Sequence, residues 1–252
     1  SLDSSETAML ETTFQRAELK DGMQILELGC GWGSLTCFMA QQLPNAQITA
    51  VSNSSDQRKF IQKRCEKNGL TNIEIITADM NNFNTDKIFD RVISVEMFEH
   101  MRNYGELLKR ISSFMVADGK IFIHIFSHKT LAYPFEDHGP GDWMAREFFS
   151  GGQMPSHRLL LHFQDHVKIE KVWRFSGNHY SQTSRAWLNQ MDKNKKIILD
   201  IFSKTYGDDN AKMWFQRWRI FFMACEELFG MNDGTEWGVS HFLFINKNLI
   251  GE

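Results

Sequence analysis

The 252-residue sequence has few cysteines, and their arrangement excludes several kinds of site. Cys30, Cys37, Cys65 and Cys225 form no CxxC pair, and none stands near histidines with the spacing of a zinc site. We therefore expect free, buried thiols in a reducing compartment, with neither disulfides nor a metal ion.

Long apolar runs and a one-sided charge are also missing. No run approaches the ~18 apolar residues of a spanning helix, and the first ten residues, SLDSSETAML, are polar, unlike a secretory leader. The formal net charge is −3, so a basic surface for nucleic acid is not indicated. We expect a cytoplasmic protein with no nucleic-acid partner and no stable membrane insertion. Its oligomeric state, including a homodimer, is left open.

What the sequence does have is a regular alternation of apolar strands and helices up to residue 126. Strands are predicted over 24–29, 46–52, 73–79, 89–97 and 120–126. Helices are predicted over 4–18, 34–42, 55–69 and 104–119. Such alternation is typical of a parallel sheet with crossover helices, and strands that are apolar throughout are covered on both faces. We predict an α/β fold with a Rossmann-like, doubly wound, mostly parallel sheet.

The alternation stops at residue 127, where Pro- and Gly-rich stretches begin. Long segments of this kind are usually functional. Beyond them, 155–164 is predicted to be helical, 167–175 a strand, 181–230 two aromatic-rich helices and 236–246 a strand. We divide the chain into a cofactor-binding core (1–126), a mainly helical lid and acceptor-binding insertion (127–235), and a C-terminal segment (236–252) whose strand returns to the core sheet.

A glycine-rich turn, Glu27-Leu28-Gly29-Cys30-Gly31-Trp32-Gly33, ends the first strand. Glycines permit positive φ and let a ligand approach the backbone closely. The GxGxG spacing differs from the GxGxxG of dinucleotide-binding folds, and the second strand lacks a terminal acid for a ribose. A tight turn without a ligand is the weaker interpretation, since one glycine would serve it.

Polar side chains also follow the next two strands, and Asp79 stands where it could accept a hydrogen bond from an exocyclic amine. The turn resembles the adenosylmethionine-binding loop of class I methyltransferases. That resemblance implies S-adenosyl-L-methionine as cofactor and S-adenosyl-L-homocysteine as product. The predicted cofactor-binding residues are Glu27, Gly29, Gly31, Gly33, Asn53, Gln57, Asp79 and Met80.

The stretch VEMFEH, residues 95–100, places two carboxylates and an imidazole directly after the fourth strand. Ligands of an open parallel sheet bind beyond the carboxyl ends of its strands. If the chain turns helical there, Glu96, Glu99 and His100 share one face. Such groups shift one another's pKa values and suit the handling of a proton on an amine. A solvated turn with a Glu–His contact is the alternative.

Several stretches together resemble the coclaurine N-methyltransferase branch of the cyclopropane-fatty-acid-synthase superfamily. They are LELGCGWGSL, RVISVEMFEHMRNYGELL, GDWMAREFFSGGQMPS, FQD and SGNHYSQTSRAWL. The resemblance covers most of the chain and implies a further N-terminal helical segment that contributes to the cofactor site. It implies N-methylation of a small-molecule amine, of the tetrahydroisoquinoline or benzylisoquinoline alkaloid kind. In the branch that methylates lipid alkenes, a bicarbonate serves as base and glycine tends to stand where this chain has Glu96.

Methylation of an amine needs a nitrogen lone pair that is unprotonated and aligned with the methyl group. We assign His100 as the leading base and Glu96 as the carboxylate that orients the ammonium, while Glu99 orients His100 or binds substrate. The candidate acceptor-binding residues are Glu96, Trp143, Phe148, His179, Tyr180 and Trp237. Two other functions stay open, namely lipid alkene methylation and a catalytically silent cofactor-binding module.

Overall fold

The structure is a computed structural model that describes residues 1–247. Its strands are β1 (Gln24–Leu28), β2 (Gln47–Ser52), β3 (Ile73–Thr77), β4 (Phe89–Val95), β5 (Met115–His128), β6 (Tyr133–Pro134), β7 (Gln153–Met154), β8 (Val167–Ser176) and β9 (Trp237–Asn246). Seven of them form one sheet in the order β3-β2-β1-β4-β5-β9-β8, and β6 pairs with β7. Strands β1 to β5 are parallel, and β9 lies antiparallel between β5 and β8.

Helices cover both faces of this sheet. They are α1 (Leu2–Arg16), α2 (Ser34–Gln42), α3 (Ser55–Asn68), α4 (Tyr104–Ser113), α5 (Trp143–Phe148), α6 (Asn178–Lys193), α7 (Lys195–Tyr206) and α8 (Asp208–Gly234). On β1, the neighbours Ile25 and Leu26 are both fully buried but belong to core clusters on opposite faces. The predicted α/β fold with a mostly parallel, doubly wound sheet is confirmed. Within residues 1–247 no helix has both the length and the apolarity needed to cross a bilayer.

The prediction of a helix over 104–119 is wrong in its second half. Helix α4 ends at Ser113, and β5 already begins at Met115. The side-chain amide of Asn246 donates to the carbonyl oxygens of Ser112, Met115 and Val116 at 3.1, 3.2 and 3.1 Å. A residue at the far end of the chain thus satisfies the carbonyls at the helix terminus, and local periodicity carries no trace of that contact.

The second half of the chain departs from prediction in three places. The helix expected over 155–164 is only a 3-10 turn, Leu159–His162, and the two helices expected over 181–230 are the three helices α6, α7 and α8. Strand β8 lies inside the predicted insertion yet belongs to the main sheet. The division into three segments stays a prediction, and residues 248–252 of its last segment lie outside the described residues.

Candidate active site

The glycine turn after β1 holds its three glycines in the left-handed region, with φ of +80° at Gly29, +54° at Gly31 and +78° at Gly33. A Cβ on Gly29 would lie 2.8 Å from the Cβ of Met97, and one on Gly33 would lie 2.7 Å from Cγ1 of Ile61. A Cβ on Gly31 would meet no atom within 4 Å. Two glycines therefore serve the packing of the protein, whereas Gly31 leaves space open for a ligand.

Glu27 lies beneath this turn rather than on its surface. It is 3% exposed, and the Thr36 hydroxyl donates to its Oε2 at 2.6 Å, which ties β1 to α2. Burial raises the pKa of the Glu27 carboxyl to about 8. At neutral pH the side chain is therefore mainly protonated. It supports the glycine turn from below through its hydrogen bond with Thr36.

The residues after β2 and β3 form two polar turns near the glycine loop. The Ser52 hydroxyl donates to Oε1 of Gln57, whose backbone N–H is capped by Ser54. Asn53 and Asp79 are exposed, and one oxygen of Asp79 accepts from the N–H of Asn81 at 2.7 Å. Met80 is buried in the core beside them. A cofactor-binding role for Asn53, Gln57, Asp79 and Met80 stays a prediction.

Two carboxyl groups meet at the end of β4. Glu96 has a φ of +52°, outside the ordinary range of a non-glycine residue, and its N–H donates to the carbonyl of His124 at 3.0 Å. Glu99 is 2% exposed, and no described residue donates to its Oε2. Burial first, and the nearby charge of Glu96 second, raise the pKa of Glu99 well above its usual range. Two neighbouring carboxylates repel each other, so the pair favours the form in which Glu99 carries a proton.

The helical turn expected to align Glu96, Glu99 and His100 is a 3-10 turn, Phe98–His100, and Glu96 lies outside it. The two acids still meet, because the left-handed backbone at Glu96 redirects its side chain. His100 lies at the exposed edge of the cluster. The part of the ring that faces the protein is desolvated, which lowers the pKa of His100 and outweighs the opposing charge of Glu96, so the neutral ring dominates near pH 7.

One apolar cluster, called the aromatic wall here, contains the rings of Phe126, Phe149, Tyr180, Phe229 and Trp237. Tyr180, on α6, stacks on Phe229 with ring centroids 4.8 Å apart. Burial and the charges of Glu96 and Glu99 raise the pKa of Tyr180 well above its usual range, which puts its hydroxyl beside the acids. The structure thus places Tyr180 beside the acids and Trp237 in the same apolar cluster as Tyr180, and their acceptor role stays a prediction.

The other predicted acceptor residues lie further out. Phe148 stacks on Phe221 with centroids 4.3 Å apart and contacts the ring of Trp143 at 5.8 Å. His179 is exposed, and its ring faces Phe175 at 6.0 Å. Among the described contacts, none joins these three side chains to the acids at the end of β4. Their acceptor role stays a prediction.

One residue that touches the predicted site was missed by sequence reasoning. His124 lies in the middle of β5, and its Nε2 is 3.1 Å from Oε1 of Glu96. Its sequence context, IFIHIF, is that of a core strand. The only available signal was the strand pairing, because His124 is the partner of Val95 across β4 and β5.

The cysteines take no part in this chemistry. All four are free, and burial raises the pKa of Cys30 to about 12 and that of Cys37 to about 11. Thiols of this kind are unreactive at neutral pH. Within residues 1–247 no group of three His, Cys, Asp or Glu side chains could hold a metal ion.

A family model and individual sequence relatives place the chain in the same family. The family model of mycolic acid cyclopropane synthetases matches residues 1–236. The (S)-coclaurine N-methyltransferase of Thalictrum flavum subsp. glaucum is 40% identical over 98% of this chain and 69% of its own length. The (S)-coclaurine enzyme of Papaver somniferum is 41% identical, again over 98% of this chain, and 71% of its own length is covered.

Solved structures agree with these relatives. A coclaurine N-methyltransferase bound to N-methylheliamine and SAH superimposes with a TM-score of 0.93 at 38% identity, covering 98% of this chain and 74% of that one. The mycolic acid cyclopropane synthase CmaA1, complexed with SAH and CTAB, gives a TM-score of 0.81 at 19% identity over 98% of this chain and 86% of that one. The second likeness shows a shared fold.

Proposed function

The chain belongs to the mycolic acid cyclopropane synthetase family, and we propose that it transfers a methyl group from S-adenosylmethionine to the nitrogen of a small alkaloid amine. The benzylisoquinoline class of amine is supported by relatives named for coclaurine and pavine, which are 38–41% identical. The observation that carries the proposal is the acid pair after β4. A buried carboxyl oxygen that no described residue satisfies is a partner for an ammonium group.

The cofactor site is the glycine turn together with the polar ends of β2 and β3. When bound, S-adenosylmethionine supplies an electrophilic methyl group carried on a sulfonium. The open space at Gly31 fits a ligand held against the backbone, and Glu27 and Thr36 keep the turn in shape from below. Asn53 and Asp79, both exposed at neighbouring strand ends, complete the set that we propose holds it.

The acid pair attracts and orients the acceptor. Glu96 carries the negative charge that draws an ammonium group into a site of low dielectric, where attraction is stronger than in water. Glu99 holds a proton that it can give up when a cation arrives. The neutral ring of His100 takes the proton from the ammonium nitrogen and so exposes the lone pair. Base catalysis of this kind is typically worth about 10²–10⁴-fold.

The aromatic wall would bind the body of the acceptor. Tyr180, Phe229 and Trp237 present apolar surface next to the acids, and their ring faces also stabilise a cation. A rigid aromatic surface holds the nitrogen at a fixed place and orientation, and such positioning can contribute about 7–11 kcal/mol in well-aligned systems.

The acid pair also favours an amine over the alkene of a lipid. An alkene carries no charge, so it would leave Glu99 Oε2 buried without a partner. An ammonium group satisfies that oxygen and the charge of Glu96 together. The silent-module interpretation is tested by the same assay, because such a module would bind adenosylhomocysteine without turning over any amine.

The cellular setting belongs to the proposal as well. All four cysteines are free thiols, and three of them are buried. Free thiols persist in a reducing compartment, which supports a cytoplasmic location. A homodimer is the assembly to be tested, and sedimentation equilibrium of the purified chain distinguishes one copy from two.

The test is a methyl-transfer screen over secondary and tertiary tetrahydroisoquinoline and benzylisoquinoline amines, read by mass, with an unsaturated phospholipid as a separate arm. We expect methylated amine and unchanged lipid. Glu96→Ala and His100→Ala should each lower turnover by at least about 10² while calorimetry shows adenosylhomocysteine still bound. Glu106→Gln, at an exposed acid of α4, is the matched control and should change turnover less than twofold.

Turnover of Glu96→Ala or His100→Ala within twofold of the parent chain, with intact cofactor binding, would show that these residues do not act on the amine. Methylated lipid without methylated amine would replace the proposed acceptor with an alkene.

A further inference from the structure

A line of four side chains runs from the acid pair through the sheet to α1 on the far side. Oε1 of Glu96 lies 3.1 Å from Nε2 of His124, and Nδ1 of His124 lies 2.9 Å from Nε2 of His241. Nδ1 of His241 in turn lies 3.1 Å from Nη1 of Arg16. These four residues, called the relay here, come from the end of β4, from β5, from β9 and from α1.

The guanidinium at one end of the relay fixes the direction of the two hydrogen bonds that join Arg16, His241 and His124. A guanidinium only donates hydrogen bonds, so Nδ1 of His241 must accept from Arg16. His241 is then neutral with its proton on Nε2, and it donates to Nδ1 of His124. His124 is therefore also neutral with its proton on Nε2, the nitrogen that lies 3.1 Å from Oε1 of Glu96. Both tautomers are assigned from this network.

Packing holds the relay in one arrangement. His241 is 2% exposed, between the rings of Phe122 at 5.0 Å and Phe175 at 4.9 Å. Arg16 lies over the rings of Trp173 and Phe175 with its guanidinium carbon 4.6 and 4.5 Å from their centroids. Burial, followed by the neighbouring His124 and Arg16, lowers the pKa of His241 to about 2, in agreement with a neutral ring.

We propose that Arg16, His241 and His124 are positioning residues that keep Glu96 ionised and aimed at the acceptor, so that the shared proton stays on Glu99. This inference rests on the proposed function in one respect, the use that the enzyme makes of the Glu96 charge. The relay itself is a property of the folded chain without any substrate.

The relay answers a question that the acid pair raises, namely which acid carries the proton. The groups that face Glu96 are Glu99 and His100 from the 3-10 turn, Tyr180 from α6 and His124 from β5. No described residue donates a hydrogen bond to Oε1 of Glu96 or to Oε2 of Glu99, but the Glu96 side chain is 26% exposed and Glu99 only 2%. The lighter burial of Glu96 and the N–H dipole of His124 beside its Oε1 both favour its charged form, and the pair then ionises at Glu96.

The backbone adds a second link between the same residues. The N–H of Glu96 donates to the carbonyl of His124 at 3.0 Å, and Glu96 keeps its left-handed conformation there. The backbone of Glu96 is therefore hydrogen-bonded to His124, and its side chain is in contact with the same residue of β5. This double link explains how a strained position can hold a carboxylate in a single orientation.

The first experiment needs no activity. Nitrogen-15 spectra of histidine-labelled protein should show His124 and His241 neutral at pH 7, both with the proton on Nε2. In Arg16→Met, His241 should become a mixture of its two neutral tautomers. In Arg16→Lys, a smaller fraction of His241 should carry the proton on Nδ1. A charged ring, or a proton on Nδ1 of either histidine in the parent chain, would overturn the relay.

The second experiment measures the charge on Glu96. Carbon-13 titration of the glutamate carboxyl groups, with the Glu96 signal identified by Glu96→Gln, should give a pKa about one to two units higher in His241→Leu. His241→Gln keeps a donor toward His124 and should move it by less than half as much. His157→Leu, which removes a half-buried histidine bonded to Ser240 of β9, the strand that carries His241, is the matched control and should not move it.

Kinetics connect the relay to the reaction. The acid limb of kcat should shift upward by about the same one to two units in His241→Leu, with about tenfold lower turnover at pH 7, and His241→Gln should recover most of it. A merely structural role would lower the melting temperature of both variants alike and leave the limb in place. That result, or an unmoved Glu96 titration, would refute the proposal. If no amine is methylated, the proposed function fails, and the two spectroscopic tests still decide the relay.

Discussion

Two glutamates with nearly the same unusual backbone lie at opposite ends of the sheet. Glu18, before β1, has a φ of +53°, and Glu96, after β4, has a φ of +52°. The carboxylate of Glu18 is paired with Lys120 at 2.8 Å and Lys171 at 2.9 Å, and these bonds lower its pKa to about 2. No lysine or arginine pairs with Glu96 among the described ion pairs.

The difference separates an acid paired within the fold from one for which we propose a function. At the amino ends of the parallel strands the protein supplies its own cations, and Arg91 adds a third at 4.0 Å from Glu18. At the carboxyl ends Glu96 has another acid for a neighbour, and we propose that a substrate brings the missing cation. Charge that a fold leaves unbalanced at a buried site marks the place where a ligand of opposite charge binds.

The largest expected effect comes from exchanging the two glutamates for glutamine in turn. Glu96→Gln should lower turnover by at least about 10² and leave the free energy of unfolding unchanged or slightly raised, because it removes a buried charge. Glu18→Gln should leave turnover within twofold and cost about 1–3 kcal/mol of stability, because lysines lose a charged partner. Urea unfolding and the mass-based assay measure both. Equal losses of stability in the two variants would abolish the contrast.

The glycine turn also contains one residue that serves stability, Gly29, and one that we propose serves cofactor binding, Gly31. Gly29→Ala drives a Cβ to 2.8 Å from Met97 and should destabilise the fold by about 2–3 kcal/mol. Gly31→Ala has room for its methyl group and should cost only about 1–2 kcal/mol, from its positive φ. Calorimetry should nevertheless show at least about tenfold weaker adenosylhomocysteine binding to Gly31→Ala, because the methyl group enters the ligand space.

Equal destabilisation of the two alanine variants, or full cofactor affinity in Gly31→Ala, would show that Gly31 is a turn residue like its neighbours.

The smallest effects are changes in the free energy of unfolding with pH. They should have opposite signs for Glu18, before β1, and Glu27, near the end of β1. The folded pKa of Glu18 is lowered to about 2, so its stabilisation is present above the unfolded value near 4.5 and is lost as pH falls toward 2. The folded pKa of Glu27 is raised to about 8, so its contribution is present below pH 4.5 and is lost as pH rises through 8. Denaturant unfolding from pH 3 to 9 measures both.

Glu18→Gln should flatten the acid side of that stability profile by on the order of 2 kcal/mol, and Glu27→Gln should flatten the alkaline side. The control is Glu106→Gln at an exposed acid, which should leave the profile unchanged. An unaltered alkaline side in Glu27→Gln would mean that Glu27 is ionised beneath the loop.

The sequence was most informative where structure is local. Apolar runs predicted the strands of the parallel sheet within a few residues, and the spacing in VEMFEH placed Glu96 and Glu99 at its carboxyl edge. The end of α4 was wrong because Asn246, 130 residues away, provides the bonds that terminate it. A local pattern cannot report such a partner.

The relay was invisible for the same reason. Arg16 and His241 are 225 residues apart, and His124 lies within an apolar strand that suggests only a core. The antiparallel pairing of β5 with β9 places His124 opposite His241, and a prediction limited to strand positions does not contain that register. Charge pairing across a sheet therefore needs the fold, whereas charge at a strand end can be predicted from sequence.

The central claim is that Glu96 and Glu99 hold one proton between them and exchange it for a cationic acceptor. Calorimetry of a quaternary tetrahydroisoquinolinium ligand at pH 7, in two buffers of different ionisation enthalpy, counts the protons released on binding. Because this ligand carries no proton of its own, the account predicts release of about one proton from the parent chain and none from Glu99→Gln. Binding without proton release, or equal release from Glu99→Gln, would contradict it.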